Sequence, residues 1–143
     1  MNLGYVNNNP LNIRFSPMNT WKGQIGSYRG FCKFSDMKYG CRAALTLLCN
    51  YHRKGYDTIR EIISRWAPAS ENDTEAYINY VASDPRLPAG FNRDTHISDF
   101  RTLLTIAKSM SEVEIGHRYA ADIDVADGAW TSAVNNFTYP NIK

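Results

Sequence analysis

The sequence predicts a mainly α, α+β fold: one domain over residues 1–143 with a small β and loop region at its N-terminus. Three observations carry this prediction. Beyond residue 36, apolar side chains recur at helical spacing behind residues that cap helices. The first 34 residues hold Asn, Gly and aromatics instead, and Gly30-Phe31-Cys32-Lys33-Phe34 alternates as a short strand or extended segment does. No internal repeat, low-complexity stretch or linker divides the chain, and at 143 residues one core buries roughly two-thirds of the unfolded surface.

Residues 1–34 read as loops with a small hairpin. Asp36 is the N-cap of a helix to about Arg53, which carries Met37, Cys41, Ala44, Leu45, Leu48 and Tyr51 on one face and is stopped by Gly55. Thr58-Ile59-Arg60-Glu61 is a capping box that opens a helix of about two turns. It ends before Pro68, because a residue preceding proline avoids the helical region. Asn72, with Glu75 three residues on, opens a helix through Tyr77, Ile78 and Val81 that stops near Pro85. A loop with Pro85, Pro88 and Gly90 follows. From Ser98, the series Phe100, Leu103, Leu104, Ala107, Met110, Val113 describes a long amphipathic helix to about Ile115, closed by Gly116. A weaker helical patch covers residues 125–134, ahead of an aromatic, Asn-rich end.

Composition excludes several function classes. With 43% hydrophobic and 21% charged residues, 9 Gly and 6 Pro, the chain is neither a disordered tail nor a fibrous repeat. Sixteen Lys and Arg against fourteen Asp and Glu leave a net charge of +2 without any basic run, so no nucleic-acid partner is expected. The longest apolar stretches, such as residues 43–49, fall short of the roughly 20 residues of a membrane span. The opening MNLGYVNNNP lacks the basic and apolar regions of a secretory signal, so synthesis in the cytoplasm without a signal peptide is expected. Cys32, Cys41 and Cys49 cannot all pair within the chain and are expected as reduced thiols.

Glu114 is the most informative single residue. Leu103, Ala107, Met110 and Glu114 follow at steps of 4, 3 and 4, so they share a helix face, while Glu112 lies roughly opposite with Arg101, Thr105 and Lys108. A carboxylate ending an apolar stripe is partly desolvated, which raises its pKa and suits it to general acid work near neutral pH. The other reading is that the helix frays there and Glu114 reaches water or Arg118. Residues 65–74 form an inter-helix loop with an aromatic, two carboxylates, amides and hydroxyls, a mixture that binds polar ligands or simply caps the next helix around a core Trp66. The amides of residues 7–14 read as turns or as hydrogen-bonding groups for a sugar or peptide.

Cys41 stands in the first turns of a helix, as catalytic thiols do, yet on the apolar stripe with Leu45 and Leu48, where a free cysteine acts as a small hydrophobe. His52, His96 and His117 are its candidate bases. No metal or other cofactor is expected: the histidines lack paired spacing, no CxxC exists, and Asp122, Asp124 and Asp127 are out of register for a calcium loop. Nucleotide-binding glycine motifs are absent as well.

Together these segments resemble a family of phage- and prophage-encoded lysozyme-like proteins, many known only as virion structural proteins. The matching stretches are residues 7–14, Trp21-Lys22-Gly23-Gln24, Gly30-Phe31 with Phe34, Gly40 with Arg42-Ala43, Thr58 with residues 62–68, residues 71–74 and Tyr77-Ile78, within about residues 5–119. There is a looser likeness to flagellar-type glucosaminidases, in which a helix ending in Glu precedes an Asn-x-Phe-Gly-Ile-Lys stretch and Trp-Lys-Gly. Here residues 9–14 and Trp21-Lys22-Gly23 look like the later parts, and residues 107–116 look like the glutamate helix moved to the C-terminal end, as in a circular permutation. Ile115 departs from the small or polar residue usual in those relatives.

The resemblance implies a lysozyme-like fold and cleavage of peptidoglycan glycan strands, as a muramidase, glucosaminidase or lytic transglycosylase. Glu114 would protonate the leaving oxygen, and Glu71 or Asp73 would position water or stabilise the oxocarbenium. Trp21 and Trp66 would stack on sugar faces, and Asn9, Asn12 and Tyr77 would bond to acetamido groups. Action would be at the cell wall, alone or among other virion proteins. The competing readings are a non-catalytic virion structural or wall-binding protein with a lysozyme-like groove, a peptidoglycan amidase using Cys41, and a DNA-binding helix-turn-helix through residues 37–66.

Overall fold

Local sequence signals set the helix boundaries. The computed structural model describes residues 3–70 and 73–116. In chain order these form α1 (Leu3–Asn7), β1 (Gln24–Tyr28), β2 (Phe31–Phe34), α2 (Met37–Arg53), α3 (Ile59–Trp66), α4 (Thr74–Ala82) and α5 (Phe100–Ile115). The architecture is α+β, with helices around one core and a two-stranded hairpin at one side. The patch expected over residues 125–134 lies outside the described residues, as do Glu71, Asn72, His117 and Arg118.

Asp36 caps α2 by accepting from the Lys38 amide at 3.0 Å. At the other end Gly55 (φ +98°) donates to His52 and Tyr56 donates to Tyr51, the paired bonds of a Schellman stop. Thr58 caps α3 by accepting from the Glu61 amide, and Glu61 reaches back to accept from the Thr58 hydroxyl and the Asp57 amide, a variant of the expected capping box. The cap of α4 comes from Asp73, which accepts from the Ala76 amide at 3.1 Å. Asp99 caps α5, whose end is the left-handed Gly116.

The core gathers Leu11, Phe34, Leu45, Leu48, Ile62, Ile63, Ile97, Leu103, Ile106 and Met110, all at 0% exposure. Each such aliphatic contributes about 1.5–3 kcal/mol through removal from water. Helix α5 packs against α1, α2 and α4, while α3 joins α2 to α4. That arrangement sets the C-terminal end of α5 against Asn12 of the N-terminal turn, Trp66 of α3 and Tyr77 of α4.

The Asn-rich start is a built structure, and it includes the short helix α1 where loops were expected. Asn8 and Asn12 hold left-handed backbone (φ +52° and +51°), a conformation asparagine tolerates better than most residues. Between them Asn9, fully buried, donates to the carbonyls of Ile13 and Cys32 and accepts from the Ile13 amide. The turn thereby docks on β2, and residues 13–15 run alongside it through an Arg14–Phe31 bridge. Gly40 allows the same turn to cross α2, since a Cβ there would stand 1.9 Å from the Asn8 carbonyl oxygen.

Two expectations for α5 are corrected. Val113, expected in the core, lines an open groove against the first turns of α4 and stays 39% exposed. Glu112, expected on the solvated face, is half-buried and lines that same groove. Both follow from α4 covering α5 only partly near its C-terminal end.

Candidate functional site

Three helices converge on the carboxylate of Glu114. It stands in the last turn of α5, half-buried, and the helix continues intact through Ile115. Trp66, ending α3, donates from Nε1 to Glu114 Oε2 at 3.0 Å. Tyr77, in α4, donates from its hydroxyl to the same oxygen at 2.9 Å. From the N-terminal turn, the Asn12 side-chain amide donates to the Glu114 main-chain carbonyl at 3.1 Å. The left-handed Gly116 stops the helix directly after this turn and donates to Glu112.

Burial raises the pKa of Glu114 above the ordinary carboxylate value. Hydrogen bonds from Trp66 and Tyr77, and the Arg14 charge, pull the other way without cancelling it. Burial also pushes the Tyr77 hydroxyl well above its ordinary value, reinforced by the Glu114 charge, so Tyr77 remains a donor. With Oε2 accepting two bonds, the proton of the neutral acid belongs on Oε1, which accepts none from the described residues.

Cavities open on both sides of this carboxyl group. One, of about 340 Å³, is lined by Asn12, Arg14, Asn19, Trp21, Phe31, Tyr51, Trp66 and Glu114. The other, of about 500 Å³, lies between α4 and α5 and is lined by Asp73, Tyr77, Tyr80, Glu112, Val113 and Glu114. Through Ala76, Tyr80 and Glu112 it continues into a further 580 Å³ beside Asn79, Asp84, Arg86 and Ser109. Aromatic faces and planar amides on one side and carboxylates on the other suit a polar, ring-containing ligand.

The structure brings Glu114, Asn12, Trp21, Trp66, Tyr77 and Asp73 to this cleft. Asp73 is exposed and its carboxylate also caps α4. Trp66 and Tyr77 spend their polar hydrogens on Glu114 instead of leaving them for a ligand. Asn9 stands apart: its side-chain amide is buried and fully engaged with backbone, so it organises the turn and does not reach the cleft. Glu71 is outside the described residues. Cys41 is buried at 0% exposure and lines none of these cavities, and His52 is buried against the Ile97 carbonyl, so neither offers a nucleophile or base to a substrate.

Arg14, Asn19, Tyr51 and Glu112 line the cleft without having been singled out for a role in the sequence. Arg14 closes the Asn7–Arg14 stretch, and its charge acting on Glu114 is a tertiary effect that spacing does not reveal. Among the described residues no group of His, Cys, Asp and Glu is arranged to hold a metal ion, and no helix is long and apolar enough to cross a membrane.

No protein-family model matches the sequence. The chain is similar to a phage protein, Protein P5 of Pseudoalteromonas phage PM2, with 36% identity over 118 residues covering 79% of this chain and 71% of the relative. At that identity and coverage, the chain belongs to the family of phage Protein P5.

Proposed function

We propose that this chain is a peptidoglycan glycosidase in which Glu114 is the general acid. The observation that supports this best is the state of Glu114: a half-buried carboxyl group with raised pKa, one oxygen held by two donors, lining two cavities. Oε1 delivers its proton to the glycosidic oxygen as the bond to the anomeric carbon breaks. The negative charge then rests on a group whose Oε2 already accepts from Trp66 and Tyr77. Both bonds strengthen as the carboxylate forms, so they favour the transition state over the ground state.

The aromatic side of the cleft fits N-acetylated sugars. Trp21 and Trp66 supply ring faces for sugar stacking, and Asn12, which lines the same cavity, is the candidate partner for an acetamido group. Asp73, in the adjoining groove, is the described carboxylate for positioning water or balancing the oxocarbenium, and Glu71 is the second candidate. A lytic transglycosylase needs neither, because a hydroxyl of the sugar itself attacks. Contact between α1 and α5, and the Asn12–Glu114 bond, supports a lysozyme-like domain in which the glutamate helix has moved to the end of the chain. The proposed substrate is the glycan strand at the cell wall, met in company with other virion proteins.

A second reading rests on those same bonds. Glu114 ties α3, α4 and the N-terminal turn to α5, which is also what a non-catalytic virion or wall-binding protein would retain it for. Digestion of purified peptidoglycan by wild type and Glu114→Gln separates the two: soluble muropeptides from wild type alone support catalysis. Wall binding without release supports the binding module.

A further inference from the structure

The first 35 residues carry cations without a carboxylate. Residues 1–35 hold four cations, Arg14, Lys22, Arg29 and Lys33, and the first carboxylate is Asp36. The remaining twelve Lys and Arg face all fourteen carboxylates, so the net charge of +2 hides a cationic N-terminal lobe. The fold gathers three of the four, Arg14, Arg29 and Lys33, on one sheet face. Tyr28 pairs with Phe31 across the hairpin, leaving both on the side opposite the buried Cys32. Arg14 lies over the Phe31 ring at 5.5 Å, and Arg29 and Lys33 lie over the Tyr28 ring at 5.4 and 5.8 Å.

This track begins inside the cleft and leaves it. Phe31 and Arg14 line the aromatic cavity beside Glu114, whereas Tyr28 is 41% exposed and Arg29 stands at the exposed hairpin tip. Arg29 also departs from what the turn prefers. It and Gly30 both have positive φ (+52° and +87°), a two-residue hairpin turn in which Asn-Gly is the low-strain choice. A long cation held in left-handed backbone, at a tip where it forms no ion pair among the described residues, marks a position kept for its charge.

We propose that this cationic, aromatic hairpin face is a docking surface for the carboxylate-bearing peptide stems of a peptidoglycan strand whose sugars occupy the adjoining cleft. Charge complementarity selects the occupant: stacked rings receive sugar and peptide planes, and three cations in sequence receive carboxylates spaced along a polymer. The inference rests on the glycosidase reading for the identity of the strand, but not on Glu114 being the acid.

The test is cosedimentation with intact peptidoglycan and with the same cross-linked material stripped of its stem carboxylate charge by carbodiimide amidation. Arg29→Asn with Lys33→Gln removes both outer charges, and Arg29→Asn relieves the turn, so the variant folds. Wild type should bind intact wall about fivefold more tightly than amidated wall, as expected for two exposed charge contacts, and the advantage should shrink with added salt. The double variant should bind both materials equally. Equal wild-type binding to both materials, an unchanged double variant, no binding to either, or tighter binding to duplex DNA or anionic lipid vesicles at the same salt would each overturn it. Because sedimentation is read without cleavage, failure here is distinct from failure of Glu114→Gln to lose turnover.

Discussion

The side-chain amide of Asn12 donates to the main-chain carbonyl of Glu114 across a separation of 102 residues. One bond therefore fixes the N-terminal turn against the last turn of α5, where the carboxyl group is oriented. Asn12 reaches that carbonyl from left-handed backbone at φ +51°. Two substitutions separate its two contributions. Asn12→Gly keeps the backbone conformation and removes the donor, and should cost about 1 kcal/mol of stability. Asn12→Ala adds left-handed strain and should cost about 2–3 kcal/mol in denaturant unfolding. Both should lower turnover more than they change wall binding.

Tyr77→Phe removes one of the two donors on Glu114 Oε2. Since that bond holds the pKa of Glu114 down, its loss raises the pKa further above the ordinary value. The alkaline limb of the pH–rate profile should move upward. Maximal turnover should fall on the order of tenfold, because the conjugate base loses a charge-assisted bond. Trp66→Phe should act in the same direction. An unshifted limb would show that the titrating group is not Glu114.

Ser109 carries a buried hydroxyl with no hydrogen-bond partner among the described residues. Ser109→Ala removes an unsatisfied polar group while leaving the α5 backbone bonded, so stability should be unchanged or gain up to about 1 kcal/mol in thermal unfolding. A loss beyond that would mean the hydroxyl has a partner in solution.

Two buried titratable groups give stability opposite pH slopes. Burial lowers the pKa of His52 below its ordinary 6.5, so its contribution is present above that value and is lost as pH falls through the lower folded value. Burial raises Glu114, so its contribution is present below the ordinary carboxylate value and is lost as pH rises through the higher folded one. The stability difference between wild type and His52→Gln should therefore grow with rising pH, and that between wild type and Glu114→Gln should shrink. Urea unfolding across a pH series measures both.

Helix ends were legible in the sequence because capping is local chemistry. Asp36, Thr58 with Glu61, and Gly116 act within three or four residues of themselves, and all are found in those roles. The stripe that turns Glu114 inward was legible for the same reason, since steps of 4, 3 and 4 fix a face wherever the helix packs. What surrounds that face was not legible. The donors to Glu114 are 48 and 37 residues away, and nothing local to Trp66 or Tyr77 distinguishes a bond to a carboxylate from a ring in the core. Asn9 shows the converse: clustered amides look like ligand groups, yet this one is consumed by the turn it builds. The exposure of Val113 depends on where α4 stops covering α5, a tertiary outcome that periodicity does not contain.

The central claim is that Glu114 donates the proton that breaks a glycosidic bond. Glu114→Gln is nearly isosteric and keeps an acceptor for Trp66 and Tyr77, so the fold and the cleft should survive while the transferable proton is lost. Purified peptidoglycan should be incubated with each protein and the soluble products weighed by mass spectrometry. The account predicts muropeptides from wild type, with reducing ends for a hydrolase or anhydro ends for a transglycosylase, and a loss of at least about a hundredfold in their rate of release for Glu114→Gln. Release by the variant at the wild-type rate, or no release by either protein while both remain bound to the wall, would contradict it.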